Sequence, residues 1–334
     1  MPLRFLKPVE SLLPLAPEDK FLEAGQHLAQ IPPRSLDEAC HLTYYIVNQS
    51  VCAGTHILDH LLRNPPGDSS HLAPLMLYRH ALEIGDSIGT LLRLGSSTTA
   101  SILMRGLFET SLGLEFILEN NSFHRDRAIC YHAFNHIERF KNFDRYDPNT
   151  SAGKELHRIL DADKNLDAAV FPRKDLSKER QVLDEILNSS EYKPFWNQFK
   201  AAKPKPKHWY SLCSTAQDIR SLSRLIGREA EYVLLYRMLS EAAHAADVLT
   251  GIVSQTEDRK LQVHMLRGPV EKIKEVTSLT AGYLISCHNL LLNTYLKSHD
   301  VQRWFADWYV AEYRSCFFWA TSPGALFSES TPNS

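Results

Sequence analysis

The sequence predicts an all-α protein built as a helical bundle, on three observations. Apolar residues recur at helical spacing along most of the 334-residue chain, and strand-like alternation is nearly absent. Capping residues and chain breakers bracket these segments: Ser35, Asn64-Pro-Pro-Gly-Asp68, Ser69, Gly95-Ser96 and Asn120-Asn121. The stretch from Ile102 to Leu118 is apolar on nearly every helical face, the pattern of a buried helix.

Each element follows in order. Residues 1–66 form an N-terminal helical arm, in which Ser35 caps a helix that Asn64-Pro-Pro-Gly-Asp68 stops. Ser69 or Ser70 starts the next helix, which passes Tyr78, Leu82 and Leu91 and ends at Gly95. Ser96 or Ser97 caps the apolar helix, and Ser122 opens a fourth through Tyr131, Phe134 and Ile137. Residues 67–143 and 208–300 are expected to make the core bundle. Between them, 144–207 reads as a polar insertion with short helices, broken by Pro148, Pro172 and Pro194 and ending in Lys203-Pro-Lys-Pro-Lys207. One helix is predicted from Trp209 to Leu225-Ile226-Gly227 and another from about Arg228 to Val253. A connection over Thr256–Pro269 and a long helix over Val270–Lys297 follow. Residues 301–321 form a C-terminal aromatic helix packing on the bundle, and 322–334 have the composition of a disordered tail.

Charge and composition exclude several function classes. The formal net charge is −2, so no global field draws the chain to nucleic acid or anionic lipid, and any RNA contact has to be local. The six cysteines are scattered, without C-x-x-C, and read as reduced core thiols of a cytoplasmic protein. Prolines interrupt the N-terminal MPLRFLKPVESLLPLAPEDK before any useful apolar run, which argues against a signal peptide. Arg105, Glu109 and Glu115 in the most apolar helix argue against a membrane span. P-loop, dinucleotide and hydrolase-elbow motifs are absent.

Arg105 and Glu109 stand one turn apart in that apolar helix. Buried charge is costly unless paired. Both side chains are therefore expected to be buried and to meet each other or the polar stripe of a helix carrying Arg237. On that second helix Arg237, Ser240, Glu241 and His244 fall within about 100° of one another. Arginine with histidine two turns on suits phosphodiester cleavage. Imidazole exchanges protons near neutral pH, and guanidinium holds the phosphate and the charge building on it.

Arg237-x6-His244 resembles the R-x(4–6)-H signature of the HEPN superfamily, helical bundles that include metal-independent RNases of toxin and antiviral systems. The same spacing recurs at Arg34/His41, Arg125/His132, Arg127/His132 and Arg259/His264, and Met238 departs from the polar residue that the family favours after its arginine. A closer resemblance covers about Leu75 to Leu290. Arg105-Gly-Leu-Phe-Glu109, His208-Trp209 and Tyr236-x3-Ser240-x3-His244 resemble an uncharacterised family of bacterial helical proteins, a domain of unknown function. That resemblance implies that Arg105, Glu109, Trp209, Tyr236, Ser240 and His244 are signature positions that converge in space.

Two E-x-x-H motifs, Glu38/His41 and Glu241/His244, with Glu83 and Glu109 would supply a di-iron bundle. Their order along the chain does not alternate as in ferritin-like proteins, and no metal or other cofactor is expected. Two function classes remain. One is a HEPN-like ribonuclease of a toxin or defence system, with His244 handling protons, Arg237 on the phosphate, and Arg105–Glu109 orienting the site. The other is a non-enzymatic sensor or partner-binding module whose polar groups are structural. Homo-oligomerisation is expected in both, with RNA the partner in the first and another protein in the second.

Overall fold

The structure, a computed structural model, describes residues 35–65, 69–163, 174–236, 253–255, 261–263, 266–297, 299–314, 317 and 320. Most of the predicted N-terminal arm, Arg237, Ser240, Glu241, His244 and the tail from Ser322 lie outside the described residues. The elements among the described residues are helical apart from one two-stranded antiparallel sheet, and the chain divides into two compact units, Met1–Glu119 with Ile226–Ser334, and Asn120–Leu225.

In the first unit, α1 (Leu36–Arg63), α2 (Leu72–Arg93), α3 (Ser97–Leu118) and α9 (Val270–Tyr295) close a four-helix bundle: α1 packs on α2, α2 on α3, α3 on α9 and α9 back on α1. The Ser35 hydroxyl accepts from Glu38 N at 3.1 Å, the predicted N-cap. Gly95 ends α2 with φ +71°, a conformation that favours glycine, and its carbonyl accepts from Gly268 N at 3.0 Å. Phe108 and Phe116 of α3 are fully buried, each contributing roughly 2–3 kcal/mol by removal from water.

The bundle's centre holds one polar cluster. His288 of α9 has no exposed surface; its Nδ1 lies 2.7 Å from Tyr78 Oη, and its Nε2 lies 3.0 Å from the Ser50 carbonyl and 3.1 Å from Ser50 Oγ. Burial pushes the imidazole down to about 3, so it is neutral. A neutral ring has one N–H. Nε2 faces Ser50 and Nδ1 faces the Tyr78 hydroxyl, which also lies 3.2 Å from the Gly54 carbonyl, so both ring nitrogens have a partner. Gly54 makes room for the ring: a Cβ there would stand 2.4 Å from Leu82 Cδ2 and 2.6 Å from His288 Cε1.

The C-terminal aromatic segment packs on α1 and α9 as expected. It is α10 (His299–Trp308) followed by a π-helical turn, Tyr309–Tyr313, and Tyr313, Trp308 and Phe317 rest on Leu42, Ile46 and Ala281. Of the helix predicted from about Arg228 to Val253, residues 237–252 lie outside the described residues, the start is helical and the end at Val253 is corrected. A short turn, Glu229–Glu231, enters a π-helical turn, Tyr232–Tyr236, and Val253–Gln255 is instead a strand, β1, antiparallel to β2 (Leu261–Val263) with Val253 opposite Val263.

In the second unit, α4 (His124–Tyr146) packs on α5 (Ser151–Ala162), α6 (Ser177–Leu187) and α7 (Lys193–Ala201) around Cys130, Ile137, Leu187, Trp196, Phe199 and Leu212. Lys205 of the basic run donates to the carbonyls of Phe199 and Lys200 at 2.9 and 2.6 Å, a cation closing the C-terminus of α7. The single helix predicted from Trp209 to Leu225 is also corrected. A 3₁₀ turn, Trp209–Leu212, is separated from α8 (Ile219–Leu225) by side-chain turns, in which Ser214 Oγ accepts from Ala216 N at 3.1 Å and Asp218 Oδ1 from Ser221 N at 2.7 Å. Short polar side chains that bond nearby backbone compete with helix.

Candidate functional site

On α3, Arg105 and Glu109 share a face, with Phe108 and Glu115 together along one edge of it. Arg105 Nε donates to Glu109 Oε1 at 3.1 Å, and the Tyr236 hydroxyl donates to the same oxygen at 2.7 Å. The guanidinium lies 4.8 Å from the Tyr236 ring centroid, within cation–π range. Tyr236 is itself buried and stacks on Tyr232 with centroids 4.9 Å apart. Burial, the Glu109 hydrogen bond and the Glu109 charge together hold the Tyr236 phenol well above its ordinary range, so it works as a donor, not as a base. Burial would lower the Arg105 pKa, but the Glu109 contact outweighs it and the guanidinium stays charged.

The expected burial of this pair is corrected. The Arg105 and Glu109 side chains are 31% and 42% exposed. α2 and α9 cover two sectors of α3 and leave the sector of Ile102, Arg105, Gly106 and Glu109 open, with Ile102 itself 39% exposed. An apolar residue beside a charged one is no evidence of cover, because isolated exposed aliphatics are common.

A second, more enclosed cluster adjoins the first. Arg228 Nη1 donates to Glu115 Oε2 at 2.8 Å and Nε to Glu231 Oε1 at 2.8 Å, while Nη2 reaches Glu231 Oε2. Tyr283 of α9 donates to Glu231 Oε2 at 3.1 Å. Burial opposes charge on Arg228, yet the two carboxylates hold its pKa above the ordinary arginine range. Burial would raise the Glu231 pKa, but Arg228 and the Tyr283 hydroxyl outweigh it and hold that carboxyl low. Phe108 joins the clusters, 5.8 Å from the rings of both Tyr236 and Tyr283 and 5.8 Å from the Arg228 guanidinium. α3, the 228–236 segment and α9 are thus tied by one polar–aromatic belt.

Of the predicted site residues, the structure brings together Arg105, Glu109 and Tyr236. Trp209 belongs to the second unit, where its ring meets Tyr131 edge-on at 5.3 Å and its carbonyl accepts from Cys130 Sγ at 3.2 Å. Arg237, Ser240, Glu241 and His244 lie outside the described residues.

A family model described as "Family of unknown function (DUF5677)" matches residues 71–260, more than half of the chain. The chain belongs to this family. The matched span holds Arg105, Glu109, Glu115, Arg228, Glu231 and Tyr236 of the belt, and also Arg237 and His244; Tyr283 on α9 lies beyond it. No curated protein and no solved structure matches the chain.

Sequence reasoning missed Arg228, Glu231 and Tyr283. Arg228-x2-Glu231 is a helical ion-pair spacing and was a readable signal, whereas Tyr283 is one tyrosine on an apolar helix and gives none. The groups proposed for a di-iron site have other partners. His41 pairs with Asp37 at 3.3 Å, Glu83 with Arg79 at 2.8 Å, and Glu109 with Arg105 and Tyr236. Among the described residues no three His, Cys, Asp or Glu side chains gather as a metal site, and no helix is long and apolar enough to cross a membrane.

Proposed function

We propose that the protein is a HEPN-like, metal-independent ribonuclease, cytoplasmic and oligomeric, serving a toxin or defence system. The observation that carries this reading is the 2.7 Å hydrogen bond from Tyr236 to Glu109. It ties the residue directly before Arg237 to the half-exposed Arg105–Glu109 pair. The π-helical turn at Tyr232–Tyr236 supports it, since such turns occur frequently at functional sites. In the reaction His244 takes the proton of a ribose 2′-hydroxyl as that oxygen attacks the adjacent phosphorus. The 5′-oxygen leaves as a hydroxyl, taking a proton from solvent water, and Arg237 holds the non-bridging oxygens as charge builds on them. Arg105, Glu109 and Tyr236 position this segment, with Ser240 and Glu241 as supporting residues.

The test is cleavage of end-labelled RNA in EDTA. The expected products end in 2′,3′-cyclic phosphate, and His244→Ala or Arg237→Ala lowers the rate by about 100-fold or more with helicity unchanged. No cleavage by the parent chain, or equal cleavage by His244→Ala, overturns the proposal. One observation favours the second reading, a non-enzymatic partner-binding module. Arg105 and Arg228 are matched by Glu109, Glu115 and Glu231, which leaves the belt without surplus positive charge for phosphate. On that reading the same variants leave RNA untouched and change only stability or partner capture.

A further inference from the structure

α1 and α10 do not close on each other along their whole length. Between them lies a cleft of about 630 Å³, within the range of small-molecule sites. Its α1 wall includes Cys52, Ala53 and His56; its α10 wall carries Asp300, Arg303, Trp304, Asp307 and Trp308. Small residues opposite large rings leave the volume unfilled. A second cleft of about 360 Å³ shares His56, Asp300 and Trp304 and carries the groove on to His60.

The wall has a definite chemistry. Trp308 is held by stacking on Tyr313, centroids 4.8 Å apart, while Trp304 meets only the edge of His56 at 6.2 Å and Phe305 at 6.5 Å, and is 41% exposed. Asp300 and Asp307 are two helical turns apart on one face, about 10 Å along the axis, with Trp304 midway. Among the described lining residues the fixed positive charge is Arg303, whose Nε stands 3.8 Å from Asp307 Oδ2; both side chains are more than 70% exposed, so that pair is weak.

We infer that this groove binds a linear aliphatic polyamine. Its terminal ammonium groups pair with Asp300 and Asp307, and its methylene chain lies along the Trp304 indole, where an inner ammonium also gains from the ring face. An extended triamine spans the two carboxylates, and a monoamine reaches only one. Arg303 competes with the ligand for Asp307. The inference is independent of any reaction at the polar–aromatic belt.

Titration calorimetry of the full chain with spermidine in moderate salt tests it. Saturable binding at one site is expected, with 1,8-diaminooctane also binding and butylamine at least tenfold weaker. Asp300→Asn and Trp304→Ala should each weaken spermidine binding about fivefold or more, whereas Arg303→Ala should strengthen it. Magnesium at matched ionic strength should not displace the ligand. The side chains of Asp300, Arg303 and Trp304 are exposed, so the variants should melt with the parent. Absence of saturable heat, equal affinity in Asp300→Asn and Trp304→Ala, weaker binding by Arg303→Ala, or full displacement by magnesium overturns the inference.

Discussion

Acidification should destabilise the four-helix bundle through one buried side chain, His288. Its imidazole is held down to about 3 by burial, against about 6.5 in an unfolded chain. The folded pKa is the lower one, so below about pH 6.5 the unfolded chain takes up a proton that the folded chain refuses. Stability is full above that range and falls as pH drops towards 3. Linkage puts the loss from this one group at about 2 kcal/mol at pH 5 and about 3 kcal/mol at pH 4. His41, His132 and His136 are also depressed, chiefly by burial, and act in the same direction, so the parent's slope alone does not isolate His288. The comparison is with His288→Gln, which keeps a donor for the Ser50 carbonyl and cannot titrate. Urea unfolding at pH 7.5 and pH 5, read by hydrogen exchange of α1 and α9 so that the second unit does not mix in, should show the parent losing about 2 kcal/mol more than the variant. Equal losses would refute the assignment of a neutral, enclosed imidazole.

Four further outcomes are expected. Arg228→Ala leaves the partly exposed Glu115 and Glu231 without their cation and should cost about 1–2 kcal/mol in chemical denaturation, more than Arg105→Ala. Tyr236→Phe removes one hydrogen bond to a half-exposed carboxylate and should cost about 1 kcal/mol by the same measurement, with the native far-UV spectrum retained. Gly54→Ala drives a methyl into Leu82 and His288 and should lower stability by about 2 kcal/mol or prevent folding, read as a shifted thermal midpoint or loss of soluble protein. Burial pushes the Cys287 thiol up to about 12 and also raises that of Cys130, so maleimide labelling of the native protein at pH 7.5 should spare both until urea opens the chain.

Helix starts and stops were legible where a cap or a breaker wrote them. Ser35, the Asn-Pro-Pro-Gly break, Gly95 and Pro269 all bound helices near where the sequence places them. The stretch after Trp209 was not, because Ser214, Asp218 and Ser221 use their side chains to break a segment whose apolar spacing still looks helical. Convergence of Arg105, Glu109 and Tyr236 was readable from the motif residues, but their exposure was not. Periodicity reports which face of α3 is apolar, and only the packing of α2 and α9 decides which face is covered. The cleft beside Trp304 was equally hidden, since its aromatic rings read as ordinary packing until α1 supplied small residues opposite them.

The bundle is completed late in synthesis. α1, α2 and α3 are contiguous, but α9 follows them by about 150 residues, after the whole second unit has been made. At 5–20 residues per second a ribosome needs on the order of 10–30 s to cross that interval. For that time Tyr78, Leu82 and Gly54 have no His288 to enclose, and three amphipathic helices wait with an uncovered apolar seam. The second unit has all its own helices and can fold meanwhile. The nascent chain is therefore most exposed to aggregation and to holding chaperones in the half-minute before α9 emerges.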